Sequence, residues 1–133
     1  MTMRVTTMIK RLFRRLFPSK EMRAYNKMHR RHMKELVKHA KETKEYDYYW
    51  LHESVILQIR HMLEYYESQN NVWQTDETRI PVINQLRHII ALQEELDNLY
   101  TEYDNFQDEC HREEELYKEI YTYIGENIQW WWD

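Results

Sequence analysis

The sequence is poor in the residues that shape loops and cross-links, with one glycine, two prolines and one cysteine in 133 residues. Loops that cradle nucleotide phosphates need several glycines for a close backbone approach, and Gly125 stands alone. Hairpin-rich β folds need turn residues at short intervals, and this chain lacks them. One cysteine makes neither an internal disulfide nor a Cys-based zinc cluster. The composition therefore indicates an all-α domain.

Long apolar runs are also missing. None approaches the roughly 20 residues of a membrane span, and the first residues lack the unbroken apolar core of a secretory signal. A single unpaired cysteine fits a reducing compartment. We therefore expect a protein of the cytoplasm.

Charge is abundant and unevenly distributed. Residues 1–45 contain 14 Lys and Arg against four acids, a net charge of +10. Residues 46–133 contain five Lys and Arg against 19 acids, a net charge of −14. Such asymmetry indicates a polyanionic partner or two oppositely charged faces that meet.

Apolar residues at helical spacing predict five helical segments. Pro18 ends the first of them, and Asn70–Thr78 is the long polar loop between the third and the fourth. A turn near Asp47 separates the second from the third, with a continuous helix through Tyr46 as the alternative. The segments cover about 3–17, 20–44, 48–68, 79–103, and 104 onward. The predicted fold is an antiparallel three- or four-helix bundle (19–133) with a basic amphipathic N-terminal helical extension (1–18).

Two apolar stripes are predicted to face the core of this bundle. The stripe of the third segment consists of Leu51, Val55, Ile59, Met62 and Tyr66. The stripe of the fifth consists of Phe106, Cys110, Tyr117, Ile120, Ile124, Ile128 and Trp131.

The basic segment has three interpretations. Residues 1–38 could neutralise nucleic-acid phosphates, and residues 3–17 have the pattern of a helix that lies on a membrane surface. Alternatively, the segment packs on the acidic surface of residues 94–119 in its own or a neighbouring chain, which includes a homo-oligomer. The residues expected to contact a polyanion are Arg11, Arg14, Arg15, Arg30 and Arg31.

Tryptophans and one polar cluster are the other candidate binding features. Successive helical residues point about 100° apart, so Trp130, Trp131 and Trp132 cannot all enter one core stripe, and exposed tryptophans are typical of interfaces. With Trp73 in the polar loop, they are the expected partner anchors. The polar cluster is either a network that holds this loop or a recognition pocket. It consists of His52, Arg60, His61, Glu64 and Glu77.

The sequence gives little support for a catalytic function. Acidic neighbours raise the pKa of a thiol, which disfavours a reactive Cys110. The pairs His61–Glu64 and Asp108–His111 only partly match the carboxylate–histidine motifs of di-iron bundles. We expect no cofactor and no enzymatic activity, with a metal-binding bundle as a further alternative.

Two stretches, WLHESVILQIRHMLEYYESQNNVWQTDETR (residues 50–79) and YIGENIQWWWD (residues 123–133), resemble small accessory proteins encoded by tailed bacteriophages. The resemblance covers a third to a half of the chain and includes no motif with a known activity. It implies a bacterial host cell and an interaction with the host. The sequence thus predicts a non-enzymatic protein that binds a protein or nucleoprotein partner and acts by occupancy, for example by inhibiting a host defence system. Nucleic-acid binding through the basic arm is the alternative.

Overall fold

The computed structural model describes residues 2–16, 19–44, 47–68, 75–99 and 105–131, and in its first helix the side chains of residues 5–12. All regular structure within these ranges is helical, which confirms the all-α prediction. The final helix continues into a 3₁₀ turn, Ile128–Trp130. The helices are α1 (Thr2–Leu16), α2 (Lys20–Glu42), α3 (Tyr48–Glu67), α4 (Asp76–Asp97) and α5 (Phe106–Asn127).

The chain forms two compact units, Met1–Thr43 and Lys44–Asp133. The first contains α1 and α2, whereas the sequence placed α2 with the bundle by setting the boundary after residue 18. Ser19 caps α2, since its Oγ accepts the backbone N–H of Met22 at 3.2 Å. Thr43 is extended and ends α2. Because Asp47 is extended as well, no continuous helix joins α2 to α3.

The second unit is a three-helix bundle in which α4 runs antiparallel to both α3 and α5. The start of α3 contacts the end of α4 through His52 and Gln93, and Arg79 near the start of α4 donates to the carbonyl of Tyr66. Asp47 and Asn105 cap α3 and α5, because each accepts a backbone N–H two residues later at 2.9 Å. Local sequence thus determines where these two helices begin.

The centre of the bundle is apolar and closely packed. Its five most deeply buried side chains have no solvent-exposed surface, and α3 contributes Ile56 and Ile59 around them. Burial of this size stabilises the fold by roughly 1.5–3 kcal/mol for each large aliphatic side chain. The five are Leu86, Ile89, Leu99, Leu116 and Ile120.

The predicted core stripes are wrong at three positions. Leu51 is 68% exposed, whereas the next residue, His52, is 3% exposed. The predicted stripe of α3 is therefore wrong only at its first turn, since Ile59 and Tyr66 are buried as predicted. Phe106 is 74% exposed in the first turn of α5. Ile128 is 55% exposed because the α-helix gives way there to a 3₁₀ turn, which changes the helical phase.

The sequence offers Thr75 or Thr78 as the start of the fourth helix, and the structure selects Thr75. The helix starts at Asp76 after the N-cap residue Thr75, which puts Pro81 inside the helix, beyond its first turn. It ends at Asp97, six residues before the predicted Tyr103. Tyr103 itself lies outside the described residues.

Leu86→Ala should lower the free energy of unfolding by about 2–5 kcal/mol, because it leaves a cavity in the closed centre of the bundle. Leu51→Ala is the matched control and should change it by less than about 0.5 kcal/mol, since Leu51 is exposed. Urea denaturation followed by circular dichroism measures both values. Equal losses would contradict the assignment of the inward face of α3.

Candidate functional site

A buried histidine connects the three helices of the bundle. His52 and Gln93 are each only 3% exposed. The Nε2 of His52 lies 2.6 Å from the Oε1 of Gln93 on α4, and its Nδ1 lies 2.7 Å from the hydroxyl of Tyr121 on α5. His52 therefore satisfies both ring nitrogens with partners from two different helices.

The direction of these hydrogen bonds follows from the side-chain amide of Gln93. Its Nε2 donates to the Oδ1 of Asp97 at 2.8 Å, which leaves its Oε1 to accept. The Nε2 of His52 therefore donates to Gln93, and in the tautomer that carries its hydrogen on Nε2 the Nδ1 accepts the hydroxyl hydrogen of Tyr121. The donors all point one way, from Tyr121 through His52 and Gln93 to the carboxylate of Asp97.

Two tyrosines pack edge-on beside this network. The ring of Tyr117 lies 4.9 Å from that of His52 at an interplanar angle of 71°, and 6.3 Å from that of Tyr48 at 78°. Burial is the main cause that raises the pKa of Tyr117 to about 12, and the nearby Tyr48 and Glu113 add to it. Burial also raises the pKa of Tyr121. Both phenols are therefore held in the neutral, hydrogen-bonding form.

The predicted polar cluster is divided between the two ends of α3. His52 lies near the start of α3, nine residues or about 13 Å along the axis from His61. The two histidines lie on one helix and cannot meet. Because α4 is antiparallel, His52 faces the end of α4 and His61 faces its start. The sequence therefore grouped His52 with the wrong residues.

At the far end of α3, the cross-helix contact is made by Arg79, which belongs to the same polar stretch of the sequence as Glu77. Arg79 donates to the carbonyl of Tyr66 at 3.3 Å and pairs with Asp76 at 2.8 Å. Arg60 and Glu77 are exposed, whereas His61 is buried and Glu64 half-buried. The loop that this cluster was expected to hold includes residues 69–74, which lie outside the described part of the chain.

Two features of the sequence indicate this network. Gln93 interrupts the apolar stripe of α4, and His52 is in phase with Ile56 and Ile59 on α3. A polar residue within a buried stripe requires a hydrogen-bond partner, so the two could have been paired. Tyr117 lies on the predicted stripe of α5, whereas Tyr121 lies outside it and gave no such signal, because tyrosine is common both in cores and at surfaces.

The two described tryptophans of the C-terminal run have different environments. Trp131 packs against the core and donates its Nε1 hydrogen to the Oε1 of Gln85 at 2.8 Å. Trp130 is 61% exposed. Trp73 and Trp132 lie outside the described residues.

The expected polyanion-binding residues are on α1 and α2. Arg11, Arg30 and Arg31 are exposed, and Arg31 pairs with Glu35 at 3.3 Å. Arg14 and Arg15 belong to α1, but their side chains are outside the described set. Every Lys and Arg side chain described between residues 5 and 44 is exposed.

No group of three or more His, Cys, Asp or Glu side chains in the described ranges is arranged to hold a metal ion. His111 instead pairs with Glu115 at 2.9 Å, and Cys110 is half-buried. Among the same residues, no helix is both long enough and apolar enough to cross a membrane. Comparisons with protein-family models, curated proteins and solved structures found no match to this chain.

Tyr121→Phe should lower the free energy of unfolding by about 1–3 kcal/mol, because it leaves the Nδ1 of the buried His52 without its hydrogen bond. Tyr123→Phe is the control, since the contact of Tyr123 with His88 is made by its ring and is retained. We expect it to stay within about 0.5 kcal/mol of the parent. Chemical denaturation of both variants measures the difference. Equal free energies of unfolding would mean that the hydrogen bond of Tyr121 does not stabilise the bundle.

The raised pKa of Tyr117 predicts a pH dependence. An unfolded tyrosine titrates near a pKa of about 10, so the unfolded chain loses this proton first. The stabilisation that the raised pKa of Tyr117 gives to the folded state is therefore complete below pH 10 and is lost as the pH rises through about 12. The free energy of unfolding, measured between pH 9 and 11, should fall less in Tyr117→Phe than in the parent. Tyr25→Phe, in the other unit, should behave like the parent.

Proposed function

We propose that this protein is a non-enzymatic interaction protein that docks α1 on an acidic protein surface and acts by occupying it. The observation that carries this proposal is the exposed apolar face of α1. Four apolar side chains, spaced three or four residues apart, form this face, and each is between 57% and 71% exposed. They are Val5, Met8, Ile9 and Leu12.

The spacing of these four residues makes them one continuous face. At about 100° per residue they span an arc of about 100°, the width of the apolar face of an amphipathic helix. Lys10 and Arg11 are exposed and lie outside this arc. Such a face is the binding element of helices that enter a hydrophobic groove on a partner protein.

The surface of α2 has the same chemistry. Met33 and Val37, which are 45% and 49% exposed, line a shallow groove of about 400 Å³ together with Lys34, Lys38 and Lys41. Apolar side chains bordered by cations are complementary to an apolar groove bordered by carboxylates. The partner we propose therefore carries such an acidic groove.

The resemblance to accessory proteins of tailed bacteriophages supports a bacterial host protein, or a nucleoprotein complex of the host, as the partner. Binding in the cytoplasm would then block the partner's own contacts. A host defence protein inhibited in this way is the specific form of the proposal.

Direct binding to nucleic acid is the second candidate, favoured by the exposure of all described basic side chains on α1 and α2. It differs physically from docking in a groove. Phosphate contacts need the charges and lose affinity steeply with salt, but they do not need the apolar face of α1.

The test compares two sets of substitutions in affinity purification from bacterial cells, with and without nuclease. One set, Met8→Ser with Leu12→Ser, removes apolar contact and keeps every charge. The other, Lys10→Gln with Arg11→Gln, removes charge and keeps the apolar face. If α1 docks in an acidic groove, both sets should weaken capture of a nuclease-resistant partner at least tenfold.

Ile80→Ser is the matched control, because Ile80 is 45% exposed on the bundle and should leave capture unchanged. Loss of binding in the charge variant alone, together with nuclease sensitivity, would favour the nucleic-acid function. Retained capture in both variants would refute docking through α1. Sedimentation with anionic vesicles that depends on Met8 and Leu12 would instead identify a membrane surface.

A further inference from the structure

A cleft of about 260 Å³ opens at the end of the bundle where the start of α3 meets the end of α4 and the middle of α5. The His52–Gln93 pair lines it, so one wall is held by the buried hydrogen-bond network. Three tyrosine rings and three carboxylates also line it. These six are Tyr48, Tyr49, Tyr117, Glu53, Asp97 and Glu113.

The tyrosine rings form an aromatic corner. Tyr48 and Tyr117 stand at 78° to each other, with centroids 6.3 Å apart. Tyr48 is 70% exposed and Tyr49 is 49% exposed, so large aromatic surfaces are open to solvent beside the cleft. Rings set at such angles can present their electron-rich faces to one cation.

The carboxylates of the cleft lack the cationic partners that acids have elsewhere on the bundle. Arg112 pairs with Glu95 at 2.6 Å and with Glu115 at 3.0 Å, and Arg87 pairs with Glu67 at 3.0 Å. In the described part of the chain, Glu53 and Glu113 form no ion pair, and no Lys or Arg lines the cleft. The undescribed residues 45–46 and 100–104 contain no Lys or Arg either.

A buried carboxylate lies one helical turn before Glu113, on the same face of α5. Glu109 is 9% exposed, and its Oε1 accepts no hydrogen bond from any residue that the structure describes. A buried acceptor without a donor is unfavourable. Burial is the main cause of the raised pKa of Tyr117, and the nearby charges of Glu113 and Glu53 add to it.

A compact metal ion does not fit this arrangement, because no three acidic or histidine side chains among the described residues converge closely enough to coordinate one. A larger cation with its charge spread over several N–H groups can contact separated carboxylates and aromatic rings together. The chemistry of the walls therefore selects for an organic cation.

We propose that the cleft between Tyr48, Tyr117, Glu53 and Glu113 binds an organic cation, a guanidinium or alkylammonium group. The rings of Tyr48 and Tyr117 contact the cation, and the carboxylates of Glu53, Asp97 and Glu113 accept its hydrogen bonds. The group comes either from an arginine or lysine side chain of a partner or from a free polyamine. The site lies in the bundle unit, so it does not depend on docking through α1.

The test titrates the full-length protein at constant ionic strength and follows the aromatic NMR signals of Tyr48 and Tyr117. The probes are a blocked Gly-Arg-Gly peptide, its citrulline counterpart, which is neutral and nearly isosteric, and spermidine. The arginine peptide should shift these signals with saturation, and the citrulline peptide should not. Tighter binding of spermidine than of the peptide would identify a free polyamine as the source, and the reverse order a partner's side chain.

Four variants make the test specific. Glu113→Gln and Tyr48→Leu should each weaken binding about two- to fivefold, the size of an exposed charge or cation–π contact. Glu114→Gln changes the net charge equally, and Phe106→Leu removes an equally exposed ring, but neither residue lines the cleft. Both controls should bind as the parent does. Equal weakening by Glu113→Gln and Glu114→Gln, or no saturable shift with either cation, would overturn the proposal.

Discussion

The buried imidazole of His52 needs a hydrogen-bond partner on each ring nitrogen, and one partner comes from each of the other two bundle helices. Gln93 on α4 and Tyr121 on α5 supply them. A rotation or a shift of any one of the three helices would leave a buried polar atom without its bond, and that loss is costly. Apolar contacts alone tolerate small shifts, because they are not directional. The network therefore selects one register of α3, α4 and α5, and the aromatic corner beside it depends on that register.

The arginines of the bundle are few, and their positions shape its surface potential. Arg112 neutralises acids on the side of the bundle where α4 and α5 meet, while Arg79 and Arg87 connect α4 to the end of α3. Arg112 lies at the level of the cleft, but its guanidinium pairs with Glu95 and Glu115 and forms no ion pair with an acid that lines the cleft. Glu53 and Glu113 therefore keep their charge next to tyrosine rings. This local imbalance, rather than the total charge of the bundle, makes the cleft a site for a cation.

The two units offer opposite chemistry to a partner. The N-terminal unit presents apolar side chains among exposed cations, as at Met8 and Arg11, and the bundle presents carboxylates and aromatic rings, as at Glu113 and Tyr48. Both are suited to recognition by charge and shape, and the proposed functions follow from that.

The sequence by itself determined the helical class, the separation of charge and the capped starts at Ser19 and Asp47, since these depend on local periodicity and on hydrogen bonds within a few residues. It did not determine which residue in the first turn of α3 faces inward, because Leu51 and His52 differ by a single helical step and apolar character favoured the wrong one. Only packing against α4 and α5 decided that, since a buried histidine is stable where two other helices satisfy its nitrogens. The cleft likewise exists only in the folded bundle, because its walls come from three separate helices.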